Sequence, residues 1–154
     1  MSYPNLFNAS ECNKAVARIN NLTIETQPQW GKMNVAQMLA HCAVPYAYEF
    51  ESEKYGEPAT GFKRFMMRAL LKSTIAGKRP YKKNSRTAPD FLITDEREFE
   101  TEKARLIRYM GKVQNLGAEH FHGKITQSIG PLSSKEWNVM FAKHLDHHLT
   151  QFGV

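Results

Sequence analysis

The sequence predicts an all-α fold, an antiparallel, up-and-down four-helix bundle with an additional short basic helix. Three observations carry that expectation. Apolar residues recur at i, i+3 and i+4 through separated segments, helix-opening capping boxes precede several of them, and no run alternates polar and apolar residues as a strand would. With 154 residues, 42% apolar and 23% charged, the chain can bury one core and is too short for a second independent one, so residues 1–154 form a single domain.

Ser10 is the expected N-cap of a first helix, in which Val16, Ile19 and Leu22 recur at helical spacing until TIETQPQWG breaks the pattern with Pro28 and Gly31. Asn34, with Gln37 three residues on, forms a capping box. It opens NVAQMLAHCAVPYAYEFESEK, apolar around most of its circumference as far as Phe50, as a central helix must be. Pro45 removes a donor and crowds the carbonyl four residues earlier, which places a kink at His41. Phe62, Phe65, Met66, Ala69 and Leu70 then make an amphipathic stripe suited to packing on the bundle. Lys63, Arg64, Arg68 and Lys72 lie outside it, and Gly77 and Pro80 end the helix. KRPYKKNSRTAPDF reads as a loop. Asp95 and Glu98 offer a second capping box, for a helix with Phe99, Leu106, Ile107 and Met110 inward that Gly111 or Gly117 would end. After a loop carrying His120, His122, Gly123 and Gly130, Ser133 and Glu136 cap a last helix running to Gly153.

Charge and cysteine content narrow the function. Nine of the 21 Lys and Arg residues fall between Lys63 and Arg86 with no acid among them, which leaves twelve basic against fifteen acidic residues elsewhere. The net charge of +6 is therefore local. No helix-turn-helix, zinc-finger or RNA-binding aromatic pattern accompanies the patch, so nucleic acid is not the expected partner. No stretch approaches the ~18–20 consecutive apolar residues of a membrane span, and MSYPNLFNAS lacks a basic start followed by an apolar run. A cytoplasmic protein that does not engage a membrane is the expectation. Cys12 and Cys42 form no CxxC pair and are too few for a disulfide framework.

The chemistry lies in histidines. At 100° per residue from Trp137, Phe141 falls at about 40°, His144 at about 340° and His148 at about 20°, so both histidines share the buried face with Trp137 and Phe141. Residues four apart are close enough for two imidazoles to reach one ion. HxxxH alone is a common pattern, and a single helical histidine on an apolar face is usually a hydrogen-bonded core residue. His41 alters the balance, because it sits mid-way along the most apolar helix, where an unpartnered imidazole is costly. His147, at about 280°, lies on the edge of the face and suits an outer hydrogen bond. Gln37, one turn before His41, Gln151, three residues after His148, and His122 in the preceding loop are further candidates for orienting a ligand or substrate. Cys42 points about 100° away from His41 and is not expected to ligate.

GKMNVAQMLAHCA with its single histidine, and KEWNVMFAKHLDHHLTQFG with HxxxH near the C-terminus, resemble the DinB/YfiT-like superfamily of metal-binding four-helix bundles. RTAPDFLITDEREFETEKARL and the EW…KHLDHHLTQFG ending resemble, more narrowly, a branch of that superfamily known as a domain of unknown function. The likeness covers the chain from about Ser10 to Val154. It implies a divalent metal, zinc or nickel, on His41, His144 and His148, and a homodimer. It also implies a metal-dependent enzyme acting on a small-molecule substrate, either a transferase using a low-molecular-weight thiol such as bacillithiol or a hydrolase. The alternative is a non-catalytic metal-binding stress-response protein.

Overall fold

Short polar side chains set where most of the helices begin. In the computed structural model, which describes residues 3–154, helix α1 (Ala9–Asn20) follows Asn8, whose side chain accepts the Glu11 N–H at 3.1 Å. Ser10 lies inside the first turn instead of capping it. Helix α2 (Val35–Phe50) opens on the expected capping box. Asn34 accepts from the Gln37 N–H at 2.8 Å, and Gln37 accepts from the Asn34 N–H at 3.1 Å. The helix continues through Pro45, so the proline costs one backbone bond, that of the His41 carbonyl, without ending the helix. Helix α4 (Phe99–Phe121) is capped by Glu98 alone, whose carboxylate reaches the N–H groups of Glu100 and Thr101, while Asp95 pairs with Arg97. It passes through Gly111 and kinks at Gly117, whose φ of 73° is one that glycine adopts without strain.

A two-residue ladder, β1 (Ile125–Thr126) against β2 (Gly130–Pro131), leads into helix α5 (Ser134–Gln151), which opens on the Ser133/Glu136 capping box. Helix α2 packs on α4 and α5, and every residue from Met38 to Ala47 is buried. Tyr46 stacks on Phe141 at 4.6 Å, while Leu106, Met110 and Leu149 complete the surrounding core. Burying each such side chain contributes ~1.5–3 kcal/mol. His41, in the middle of α2, is thereby carried into the interior opposite α5.

Helix α3 (Gly61–Ala76) contradicts the expected packing. Only Ala76 is buried, and Phe62, Phe65, Met66 and Leu70 face solvent. Half-buried Met67 and Ile75 pack against the core, and polar contacts hold the rest of that inner side. Arg68 donates to the carbonyls of Ile129 and Pro131 at 2.7 and 2.9 Å, Lys72 pairs with Glu136 at 2.6 Å, and the Arg64 stem lies against Gly130. Buried Lys143 on α5 donates to the carbonyls of Thr74 and Gly77, each at 2.6 Å, and so anchors the α3 C-terminus. Polar partners of this kind have no apolar periodicity, and so the pattern of α3 was misleading about its orientation.

From Gly77 to Glu98 the chain forms a strap that contains a 3-10 turn, Pro89–Phe91. Tyr48 donates to Asp90 at 2.8 Å, Gln37 donates to the Asp95 carbonyl at 3.1 Å, and the His41 ring reaches the Phe91 carbonyl at 2.8 Å, which ties the strap to α2 at three points. Among the described residues no helix is long and apolar enough to cross a membrane. Met1 and Ser2, the start of the segment read for a leader, lie outside those residues.

Candidate metal centre

Helices α2 and α5 bring together three of the histidines. One ring nitrogen from each of His41, His144 and His148 lies within 4.8 Å of the others, and the ring centroids are separated by 4.4 to 4.9 Å. His41 and His148 are buried and His144 is partly so. The helical register explains the meeting. His144 and His148 are one turn apart on the face of α5 that meets α2, and the apolar circumference of α2 leaves His41 no other direction than the interior.

The hydrogen bonds around the cluster fix which nitrogens face its centre. His41 donates through Nδ1 to the Phe91 carbonyl at 2.8 Å, and His148 donates through Nδ1 to Gln151 Oε1 at 2.7 Å. Gln151 in turn donates through Nε2 to the Trp30 carbonyl at 2.6 Å, which fixes its amide orientation. In a neutral imidazole the opposite nitrogen then carries a lone pair. The Nε2 atoms of His41 and His144 are 2.9 Å apart. Nitrogens on a tetrahedral zinc stand about 3.3 Å from one another when each bond is about 2.0 to 2.1 Å, so small ring movements suffice for a shared ion.

Electrostatics favour the same state. Desolvation lowers the pKa of all three rings. That of His144 falls well below the ordinary value, with His41 and His148 adding to the effect, and that of His148 falls to about 3. All three are neutral at pH 7, which is the form that binds a metal. The donor set is imidazole throughout, with no carboxylate or thiol in the cluster. It fits zinc, nickel or another borderline divalent ion, and three protein ligands leave coordination positions for an exogenous group.

The remaining candidates are distributed unequally. Gln151 sits directly behind His148. His147 is outside the ligand group, half-buried between the rings of Trp30 at 5.9 Å and Tyr81 at 5.7 Å, with its pKa lowered chiefly by desolvation. Gln37 does not reach the cluster, because its amide is engaged in the α2 capping box and on the strap. His122 is exposed at the end of α4. His120 lies with Glu49 and Lys124 near the far end of α2, eight residues beyond His41, or about 12 Å along the helix. Cys42 is buried against Met38, and burial pushes its thiol pKa up.

Sequence reading missed several surrounding groups. The Phe91 and Trp30 carbonyls are backbone atoms with no sequence signal. Tyr81, whose ring faces those of His144 and His147, and Lys83, 4.1 Å above the Trp30 ring, come from the basic loop. A lone tyrosine between cations, YKK, was the only hint of an aromatic contact there.

No curated protein and no solved structure matches the chain. From residue 3 to residue 153 it matches the family described as a protein of unknown function (DUF1569), and it belongs to that family.

Proposed function

We propose that the protein is a metal-dependent enzyme of thiol-transfer or hydrolytic type, with His41, His144 and His148 holding zinc or nickel, as the DinB/YfiT-like resemblance implies. The observation that carries this reading is the convergence of three neutral imidazoles whose outer nitrogens, at His41 and His148, are tied to oxygen acceptors. A divalent cation bound there would lower the pKa of a thiol or water placed against it and make it a nucleophile near neutral pH.

The protein's own groups define the rest. Neither of its thiols is available as a nucleophile. Cys42 packs on Met38, Cys12 is buried against the Met110 carbonyl, and burial raises the pKa of both. The nucleophile is therefore external. Phe91 and Tyr81 set their rings against that of His144, and Trp30 sets its ring against that of His147 beside the cluster. Lys83, over Trp30, brings positive charge beside them, which favours a substrate bearing carboxylate or phosphate groups, such as an anionic low-molecular-weight thiol.

Metal analysis of the purified protein beside His41→Ala, His148→Ala and His147→Ala tests the site. About one equivalent of metal is expected in the native protein and His147→Ala, and close to none in the other two. A screen of thiols with electrophiles, and of ester and amide substrates, then tests the chemistry. Metal-dependent turnover supports the enzyme. Stoichiometric metal with no turnover leaves the non-catalytic metal-binding protein, and failure to take up any divalent metal overturns both.

A further inference from the structure

The apolar face of α3 is directed away from the body of the protein. Phe62 is 77%, Phe65 65% and Leu70 67% exposed, with Met66 exposed between them. At 100° per residue from Phe62, Phe65 lies at about 300°, Met66 at about 40°, Ala69 at about 340° and Leu70 at about 80°, which makes one continuous stripe. The Phe62 and Phe65 rings stack at 6.5 Å. Scattered apolar side chains are normal on a surface, but a contiguous helical face of them marks an interaction site.

The cations divide into two sets. Arg68 and Lys72 are engaged on the inner side of α3 with carbonyls and with Glu136. Lys63, at the edge of the stripe, and Lys78, Arg79 and Lys82, just beyond the helix end, are exposed and form no ion pair among the described residues. No acid lies between Lys63 and Arg86 to offset them.

We propose that α3 and the basic turn after it dock the protein on the anionic face of a lipid bilayer, with Phe62, Phe65, Met66 and Leu70 entering the headgroup–acyl boundary and Lys63, Lys78 and Arg79 meeting the headgroups. An exposed apolar stripe flanked by Lys and Arg is the arrangement by which a helix lies in a membrane interface. Charge complementarity selects this occupant over a second copy of the chain, because isologous pairing through α3 would bring the exposed Lys63, Lys78, Arg79 and Lys82 of one copy against those of the other, with no acid in that tract to offset them. The sequence suits the stripe to packing on the bundle, and for Phe62, Phe65, Met66 and Leu70 that packing is not made.

Co-sedimentation of the full chain with vesicles tests the proposal, using phosphatidylcholine alone and phosphatidylcholine with about 30% phosphatidylserine. The double variant Phe62→Ser/Phe65→Ser keeps the net charge and alters only exposed side chains, and a circular dichroism spectrum verifies its fold. The native protein is expected to bind the anionic vesicles, with binding reduced at least about tenfold both in the double variant and in Lys78→Glu/Arg79→Glu. Absence of binding overturns the proposal. So does equal binding by native protein and the double serine variant, which would mean attraction through overall charge only. A dimer in sedimentation velocity that the serine variant dissolves would also overturn it and assign the stripe to a second copy.

Discussion

The Nε2 atoms of His41 and His144 face each other at 2.9 Å while the ring proton of neutral His41 is committed, through Nδ1, to the Phe91 carbonyl. Nε2 of His41 is then a bare acceptor, and without a cation only the Nε2–H tautomer of His144 satisfies it. A bound cation would take the place of that proton between the two lone pairs. The remaining core is independent of it, since Phe141, Leu145 and Leu149 on α5 pack without reference to the cluster. Chelator treatment is therefore expected to leave the protein folded but less stable, unlike a zinc finger. Free metal at about 100 times its Kd adds about 2.7 kcal/mol, a rise in Tm of roughly 5–10 °C for a chain of this size. Thermal scans with and without metal measure it, and a chelated protein that is unfolded at 25 °C would make the metal structural.

Gln151 is the clasp of the site. It accepts from His148 and donates to the Trp30 carbonyl, and next to Trp30 the Gly31 backbone, at φ +86°, comes so near that an added Cβ would lie 2.6 Å from Gln151 Nε2. Gln151→Leu is expected to weaken metal binding by about 10- to 100-fold, the usual effect of removing an outer partner of a ligating histidine. Gly31→Ala is expected to act in the same direction, by backbone strain and by displacing the amide. Competition against a chromophoric chelator reads both. Unchanged affinity in Gln151→Leu would show that His148 needs no partner at Nδ1.

What the residues disclosed in advance, and what they did not, follows from the range of each interaction. The Asn34/Gln37 and Ser133/Glu136 boxes are local and were legible, as was the shared face of His144 and His148, a matter of helical period alone. His41 joined them by an argument from burial cost. Helix α3 was misread because its orientation is set by Arg68, Lys72 and Lys143 reaching backbone carbonyls and one glutamate on other elements, which leave no periodic trace. The strap was seen only as a loop, and the carbonyl it gives to His41 depends on a turn whose position is a tertiary fact.

Glu51 gives the fold an acid limit. At the end of α2 its carboxylate accepts from Lys54 and from the Tyr109 hydroxyl and pairs with Arg105 at 3.3 Å. The Lys54 bond first, then that from Tyr109, hold its pKa down at about 2 against an ordinary 4.5. As pH falls below about 4.5 the unfolded chain takes up this proton before the folded one, so the stabilisation present above that pH is lost on the way to about pH 2. Glu51→Gln is expected to lower stability at neutral pH and to remove at most about one proton from the uptake linked to unfolding in that window. Urea midpoints measured from pH 6 to pH 3 test it, and parallel curves for the two proteins would exclude the linkage.

Tyr48 and Asp90 decide how firmly the strap presents its carbonyl. The Tyr48 hydroxyl donates to Asp90 at 2.8 Å, one residue before Phe91, and the Tyr48 ring packs on Phe91 at 5.9 Å. Tyr48→Phe keeps the ring and removes the bond. Asp90 is exposed and regains water, so global stability is expected to fall by only about 0.5–1.5 kcal/mol. The local effect is larger in kind. With the Tyr48 tie gone, only the Gln37 bond to the Asp95 carbonyl and the His41 bond to the Phe91 carbonyl still join the strap to α2; the strap opens more often, and amide exchange at Phe91 and Leu92 quickens while the α2 and α5 cores stay protected. Metal affinity is expected to fall less than in Gln151→Leu, because the Phe91 carbonyl is loosened and not lost. Hydrogen exchange followed by mass spectrometry separates these outcomes, and unchanged exchange over 89–95 would show that the strap is held by packing of the Phe91 ring against His41 and His144 and not by the Tyr48 hydroxyl.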